Sequence, residues 1–373
     1  MTDLRSALDE IIEIQARNGI PPNKQDGTPY WQGVEEEDLP GSTLRKAYLP
    51  GRDPIHRSRP PQNARNTECL LCMNSRAEAD KGIPLDEEWE AKANLYPIFE
   101  RHGTLIHRDH KPQRIDRSIM RKALEWVRRA SPYRFFFNSL YAGATIREHL
   151  HLQFFRNEND KPLPVEIIAS RPEGKKRLYE VSGVGVYLLQ GFPTKEQAIT
   201  SFLFECGLGS EEVLTDELEK IVATLDKENL DYNIMWHFDK AEGRYKVYVW
   251  PRSYDAVGPE TKDHAVMTSS QILMSKDREG NRTIARSLAT VEFLGKMITI
   301  DKEQYDGMAE EDFVSILNEL GLPQEKYRAS ASGRESEFEE LLAAFQARRP
   351  EGKIGVIMEA YELAKDKFGA KTF

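Results

Sequence analysis

Hydrophobic positions along the chain recur first at helical spacing, then in short strand-like runs, and then in the same order again. Leu4, Leu8, Ile11 and Ile12 fall on one side of "DLRSALDEIIEIQAR", which predicts an amphipathic helix over residues 3–17. From Gly19 to about Asn66 no period is sustained. Proline, glycine, arginine and asparagine dominate there, as in "GRDPIHRSRPPQN", which predicts extended chain with short strands. A polar segment, "SRAEADKGIPLDEEWEAKAN", leads into two strand-like stretches, "YPIF" and "GTLIHRDH". Arg117–Ala130, "RSIMRKALEWVRRA", is helical, with Ile119, Leu124 and Val127 suitably spaced. "YRFFFNSLYAG" and "HLHLQFF" follow as strands around the turn-like "GATIRE".

The order strands, helix, strands then repeats. "LYEVSGVGVYLLQGF" supplies strands, Ser210–Glu228 ("SEEVLTDELEKIVATLDKE") a helix, and "YNIMWHF" with "YKVYVWPR" the closing pair. Overlaying the closing pairs puts Lys246 and Tyr248 where the first copy has His149 and His151. This reads as a tandem duplication of an α+β module. After Met297 the pattern is mostly helical, in "EEDFVSILNELG", "ESEFEELLAAFQARR" and "IGVIMEAYELAKDKF", with the loop-like "RASASGRES" among them. The expected division is an N-terminal helix and extended arm over 1–66, a first module over 67–160, a second over 161–300 and a helical region over 301–373.

Composition narrows the function classes. The 373 residues carry 52 basic and 61 acidic side chains, hence a net −9 with both signs interspersed, which disfavours sequence-independent nucleic-acid binding. No apolar run approaches the ~20 residues needed to span a bilayer. The start, "MTDLRSALDE", lacks the basic region and apolar core of a signal peptide. Three cysteines are too few for a disulfide scaffold. A cytoplasmic protein without nucleic-acid or membrane partners is the expectation.

Two constellations could carry chemistry. In "TECLLCMNSR", Cys69 and Cys72 stand at the spacing that lets two thiolates grip one tetrahedral metal; reduced core thiols are the other reading. Zinc there would need two further ligands from histidines or carboxylates, and His110 in "IHRDHKPQ" and His149 are candidates. In "REHLHLQFF", His149, His151 and Gln153 alternate with leucines, so a strand would send all three from one face. Asn138 and the turn Gly143–Thr145 precede them and offer amide, backbone and hydroxyl donors suited to phosphate. An unprotonated imidazole nitrogen can attack the α-phosphorus of a nucleotide, provided an acceptor fixes the other ring nitrogen as N–H. A phosphate leaving group needs no proton, so neutral Gln153 suffices beside it. Arg252, Arg57 and Arg59 are candidates for an acceptor phosphate, with surface ion pairing as the alternative.

The combination "ECLLC", "HRDHKPQ" and "FFFNSLYAGATIREHLHLQ" resembles the galactose-1-phosphate uridylyltransferase branch of the histidine-triad superfamily, including its sugar-nucleotide and dinucleotide phosphorylase relatives. The resemblance covers about Arg52 to Arg252. It implies an α+β protein of two fused histidine-triad-like modules, the second degenerate. It makes His151 the nucleophile, Gln153 its phosphate-holding partner, and Cys69, Cys72, His110 and His149 a structural zinc site. Asn138, Gly143 and Thr145 would line the phosphates; His102 and His107 fit the zinc pattern less well. The implied reaction moves a nucleoside monophosphate from a nucleotide sugar or dinucleotide to phosphate or a sugar phosphate, in a homodimer. The uridylyltransferases have proline where this chain has Leu150, and the second repeat lacks a histidine cluster. Both departures point away from UDP-glucose and galactose 1-phosphate. A nucleotide-conjugate hydrolase and a non-catalytic, zinc-stabilised nucleotide-binding protein are the competing expectations.

Overall fold

The computed structural model describes residues 3–17, 34–49, 69, 71–72, 82–94, 97–99, 101–140, 142–144, 146, 148–157, 160–194, 199–227, 230–252, 274–276, 282–284, 290–299 and 302–320. Helix α1 (Leu4–Arg17) turns Leu4, Leu8 and Ile11 inward. Strands β1 (Glu35–Asp38) and β2 (Arg45–Tyr48) lie in the N-terminal arm. The first module follows as β3 (Ile83–Pro84), β4 (Trp89–Ala93), β5 (Arg101–His107), α2 (Arg117–Arg129), β6 (Arg134–Asn138) and β7 (His151–Arg156). Asp116 caps α2, its carboxylate accepting the Ile119 N–H at 2.9 Å.

Helix α3 (Pro164–Ser170) precedes the second module. That module runs β8 (Lys175–Val181), β9 (Val184–Leu189), β10 (Phe202–Gly207), α4 (Glu211–Lys227), β11 (Tyr232–Asp239) and β12 (Arg244–Pro251). The remaining described elements are β13 (Met274–Lys276), β14 (Arg282–Ile284), α5 (Thr290–Phe293), β15 (Lys296–Thr299), α6 (Lys302–Gly307) and α7 (Glu310–Leu320).

The two modules form one antiparallel ten-stranded sheet, ordered β3-β4-β5-β7-β6-β11-β12-β10-β9-β8. Read outward from the β6–β11 seam, each half repeats the other. The ladders repeat in register as well. Trp89↔His107, Leu105↔Leu152 and Phe136↔Gln153 in the first module correspond to Val186↔Phe204, Phe202↔Val249 and Asn233↔Trp250 in the second. This register puts Lys246, Tyr248 and Trp250 in the places of His149, His151 and Gln153, as the overlaid sequences predict.

One sheet face packs against α1, α2 and α4, with Phe135, Phe137, Leu152, Phe154 and Trp236 buried between. The other carries Phe136, Phe155, Met235, Tyr248 and Trp250, covered by α3, α5, α7 and the small sheet β1-β2-β15. Strand β2 pairs in parallel with β15, so the arm and the end of the second module close on each other. Among the described residues no helix is long and apolar enough to cross a membrane.

Several elements differ from the pattern-based expectation. Residues 97–99 of "YPIF" form no strand. The strand before β5 is instead β4, inside the segment that reads as polar, and its Glu90 and Lys92 are buried like the apolar residues between them. Strand β10 and helix α3 were also not expected. The helices expected in "ESEFEELLAAFQARR" and "IGVIMEAYELAKDKF", and the loop "RASASGRES", lie outside the described residues.

Candidate active site and metal centre

Strand β7 begins at His151, so His149 belongs to its lead-in. That lead-in is tied to the "HRDHK" loop by backbone bonds from His107 N to Leu150 O (3.1 Å) and from Leu150 N to Lys111 O (2.6 Å). The pairing delivers His110 and His149 to the two cysteines. Cys69 Sγ lies 3.3 Å from His149 Nδ1, and Cys72 Sγ lies 3.2 Å from His110 Nδ1 and 3.6 Å from His149 Nδ1. All four ligand atoms fall within 4.8 Å of one another. Tetrahedral zinc, with bonds of about 2.3 Å to sulfur and about 2.0 Å to nitrogen, needs sulfur and nitrogen roughly 3.5 Å apart. The donor set therefore fits a Cys₂His₂ ion.

His149 Nε2 donates to the His107 carbonyl at 2.6 Å, which leaves Nδ1 unprotonated and facing the thiols. Burial pushes the Cys69 thiol up to about 12, and a cation would reverse this by taking the thiolate. His102 and His107 lie outside the cluster. Replacing Cys72 with serine is expected to abolish metal retention through gel filtration while the chain still folds. Elemental analysis by plasma mass spectrometry reads the outcome, and unchanged metal content would remove the site.

His151 stands one alternation further on. It is 6% exposed, and its Nδ1–H donates to the His149 carbonyl at 2.9 Å. Burial, ahead of any neighbouring group, pushes its imidazole down to about 4. The ring is thus neutral near pH 7 with its lone pair on Nε2, the form a nucleophile requires. Its backbone is held by Gln113, whose Oε1 accepts the His151 N–H at 2.8 Å. Gln113 Nε2 donates to the carbonyls of His151 and Asn138, each at 3.0 Å. Gln113 bridges the ends of β6 and β7 beyond their last paired residues, Phe136 and Gln153. It lies within the quoted motif "HRDHKPQ", yet nothing in its type or spacing announces that task.

Gln153 is half-buried on the same face of β7 as His151. Its Oε1 lies 2.8 Å from His102 Nε2 and 3.4 Å from Asn94 Nδ2. Asn138 is buried, and its Oδ1 accepts from Asn233 Nδ2 (2.7 Å), Thr290 N (3.0 Å) and Thr290 Oγ1 (2.6 Å). Only its amide nitrogen end can therefore serve a phosphate. Gly143 is buried in the loop after β6 with φ +91°, a conformation that favours glycine. Thr145, Arg57 and Arg59 lie outside the described residues. Arg252 is 5% exposed; its Nη1 donates to Asn233 Oδ1 at 2.9 Å and its guanidinium lies 4.5 Å from the centre of the Phe293 ring.

At the far end of the β6–β11 seam, Arg134 of β6 forms a two-point ion pair with Glu166 of α3, both bonds 2.7 Å, and His237 Nδ1 of β11 lies 2.9 Å from the same carboxylate. The places corresponding to the site in the second module hold other side chains. Lys246 pairs with Asp239 at 3.0 Å and Glu242 at 2.9 Å. Tyr248 and Trp250 are fully buried where the first module has His151 and Gln153.

Comparison with known proteins agrees with this architecture. Residues 54–156 match a domain of unknown function, DUF4922, and residues 167–333 match the GDPGP1-like C-terminal domain. GDP-L-galactose phosphorylase 1 of Arabidopsis thaliana is 29% identical over 253 residues, 66% of this chain and 50% of its own. GDP-L-galactose phosphorylase 2 of the same plant is 28% identical over 253 residues, 66% of this chain and 52% of its own. The chain thus spans about half the length of the curated relatives it matches. Among solved structures, yeast Ap4A phosphorylase in complex with AMP superposes with a TM-score of 0.57 at 14% identity, over 88% of this chain and 99% of that one. The resemblance read from the motifs is borne out at the level of fold: the chain shares the fold of yeast Ap4A phosphorylase, and its residues 167–333 match the GDPGP1-like C-terminal domain.

Proposed function

We propose that the chain transfers a nucleoside monophosphate from a nucleotide sugar or dinucleotide to a phosphate-bearing acceptor, through a covalent nucleotidyl group on His151. The observation that carries this reading is the buried, neutral His151, with Nδ1–H engaged by the His149 carbonyl and the lone pair left on Nε2. In the first step Nε2 attacks the α-phosphorus, and the bond from that phosphorus to the bridging oxygen breaks. The sugar phosphate, or the remaining nucleotide, leaves with the electron pair. In the second step an oxygen of the acceptor phosphate attacks the same phosphorus and His151 Nε2 departs. Gln153 and the loop around Gly143 hold the phosphoryl oxygens throughout. Zinc on Cys69, Cys72, His110 and His149 would brace the lead-in to β7 and take no part in either step.

The names of the curated relatives favour a GDP-sugar as donor and inorganic phosphate as acceptor, with GDP and a sugar 1-phosphate as products. The experiment is isotope exchange: labelled phosphate with unlabelled GDP and no sugar phosphate present. A double displacement predicts label entering the β-phosphate of GDP, because GDP alone can form the nucleotidyl-enzyme and release phosphate. No exchange, in an enzyme that turns over a complete GDP-sugar mixture, would establish direct transfer and remove the covalent step. Release of GMP at the same rate with and without phosphate would establish a hydrolase.

A further inference from the structure

We infer that His102 is a positioning residue that fixes which end of the Gln153 amide faces the phosphoryl group, an inference that rests on the proposed role of Gln153. His102 lies on β5 and is 2% exposed, between Phe99 (ring centres 6.1 Å apart, edge-on) and Phe136 (5.9 Å, stacked). The register Thr104↔Gln153 makes it the diagonal neighbour of Gln153 on the same sheet face. The backbone N–H of Ile98 donates to His102 Nδ1 at 3.1 Å. A ring nitrogen that accepts a backbone N–H carries no proton, so the proton of the neutral imidazole sits on Nε2. Nε2–H then points at Gln153 from 2.8 Å, and only an acceptor can stand there. The atom at that position is therefore the amide oxygen.

Asn94 reinforces this choice. Its Nδ2 donates to the same oxygen at 3.4 Å and to Thr104 Oγ1 at 3.2 Å. With its oxygen occupied on one side, the Gln153 amide presents its NH₂ on the other. The chain of bonds runs from a fixed backbone N–H, through one tautomer, to one amide orientation. A reversed amide would turn its oxygen toward the phosphoryl oxygens and repel the charge that Gln153 is proposed to hold. His102 touches no reacting atom in this arrangement. It acts through Gln153.

The test is the single-turnover rate of nucleotidyl-enzyme formation with a GDP-sugar, read by intact mass after quenching. It is run on wild type, His102→Phe, His102→Gln, Gln153→Ala and the pair His102→Phe/Gln153→Ala. Phenylalanine keeps the ring volume and removes the donor, so the rate is expected to fall by roughly 10–100-fold, the scale of a misplaced contact. Donor affinity should change by less than about threefold, well short of that loss. Glutamine can return a donor to the Nε2 position and should recover most of the rate. In the Gln153→Ala background, His102→Phe should add nothing. A His102→Phe rate equal to wild type, or an undiminished loss in the Gln153→Ala background, would overturn the inference and leave the proposed reaction intact. No adduct in wild type with any donor would instead remove the reaction, and this inference with it. Nitrogen-15 NMR of wild type keeps the idea testable if the variants do not fold: the proton must reside on His102 Nε2, and a proton on Nδ1 refutes it.

Discussion

Alanine in place of His151 is expected to lower nucleotidyl transfer by on the order of 10⁴-fold or more, the scale of losing a covalent nucleophile, with metal content unchanged. The magnitude follows from the roles proposed for two neighbouring histidines. His151 Nδ1–H is held by a carbonyl, so its lone pair is on Nε2. His149 has the opposite arrangement, with Nε2–H on the His107 carbonyl and Nδ1 among the thiols. The two alanine variants should therefore fail differently. His149→Ala should lose metal and melt at lower temperature; His151→Ala should keep its metal and melt within a few degrees of wild type. Transfer assays, melting curves and metal analysis on both variants check this. A nucleotidyl adduct that persists in His151→Ala would show that another group is the nucleophile.

The second large effect is on stability and lies where the two modules meet. Glu166→Gln is expected to destabilise the chain by about 3–5 kcal/mol at pH 7, because it leaves the buried Arg134 guanidinium without its charge partner. Both bonds to Arg134, the contact from His237 and the Leu163 N–H at 2.8 Å converge on this one carboxylate. Burial alone would raise the Glu166 carboxyl; Arg134 and then His237 outweigh it and hold it well below the usual carboxylate range. A carboxylate with a lowered pKa stabilises the fold above its unfolded value, about 4.3, and that contribution drains away as pH falls further. The deficit of Glu166→Gln should accordingly be full at pH 7 and shrink toward pH 3. Urea unfolding across that range reads it, and a deficit independent of pH would assign the loss to packing instead.

The repeated order of elements and the Cys/His cluster were legible in the sequence for a shared physical reason. Helical periods survive wherever one face of a helix is buried and the other is not, as in α2 and α4. The legible residues were also those whose spacing along the chain is itself meaningful, such as Cys69 with Cys72, or His149 with His151. Strand β4 was hidden because Glu90 and Lys92 interrupt its apolar pattern yet are themselves buried. The pairing of β2 with β15 joins residues far apart in sequence, and no local pattern announces it. Nothing in "EEED" announces that Glu36 and Glu37 meet Arg45, Lys46 and Lys296. His102 looked like a spare ligand, because its meaning depends on a diagonal neighbour one ladder away.

The seam between the halves has an evolutionary consequence. Strand β6 pairs with β7 along one edge and with β11 along the other, from Phe135↔Trp236 to Asn138↔Asn233. Two separate copies meeting along such an edge could part on dilution; two copies on one chain keep a high effective concentration. In a fused pair the two halves need not carry the same residues: Tyr248 and Trp250, fully buried, fill in the second half the places that His151 and Gln153 hold in the first. The second half's visible contribution to the first is architectural: it presents β11 to β6, and through Asn233 it holds Asn138 Oδ1 and the Ala142 carbonyl.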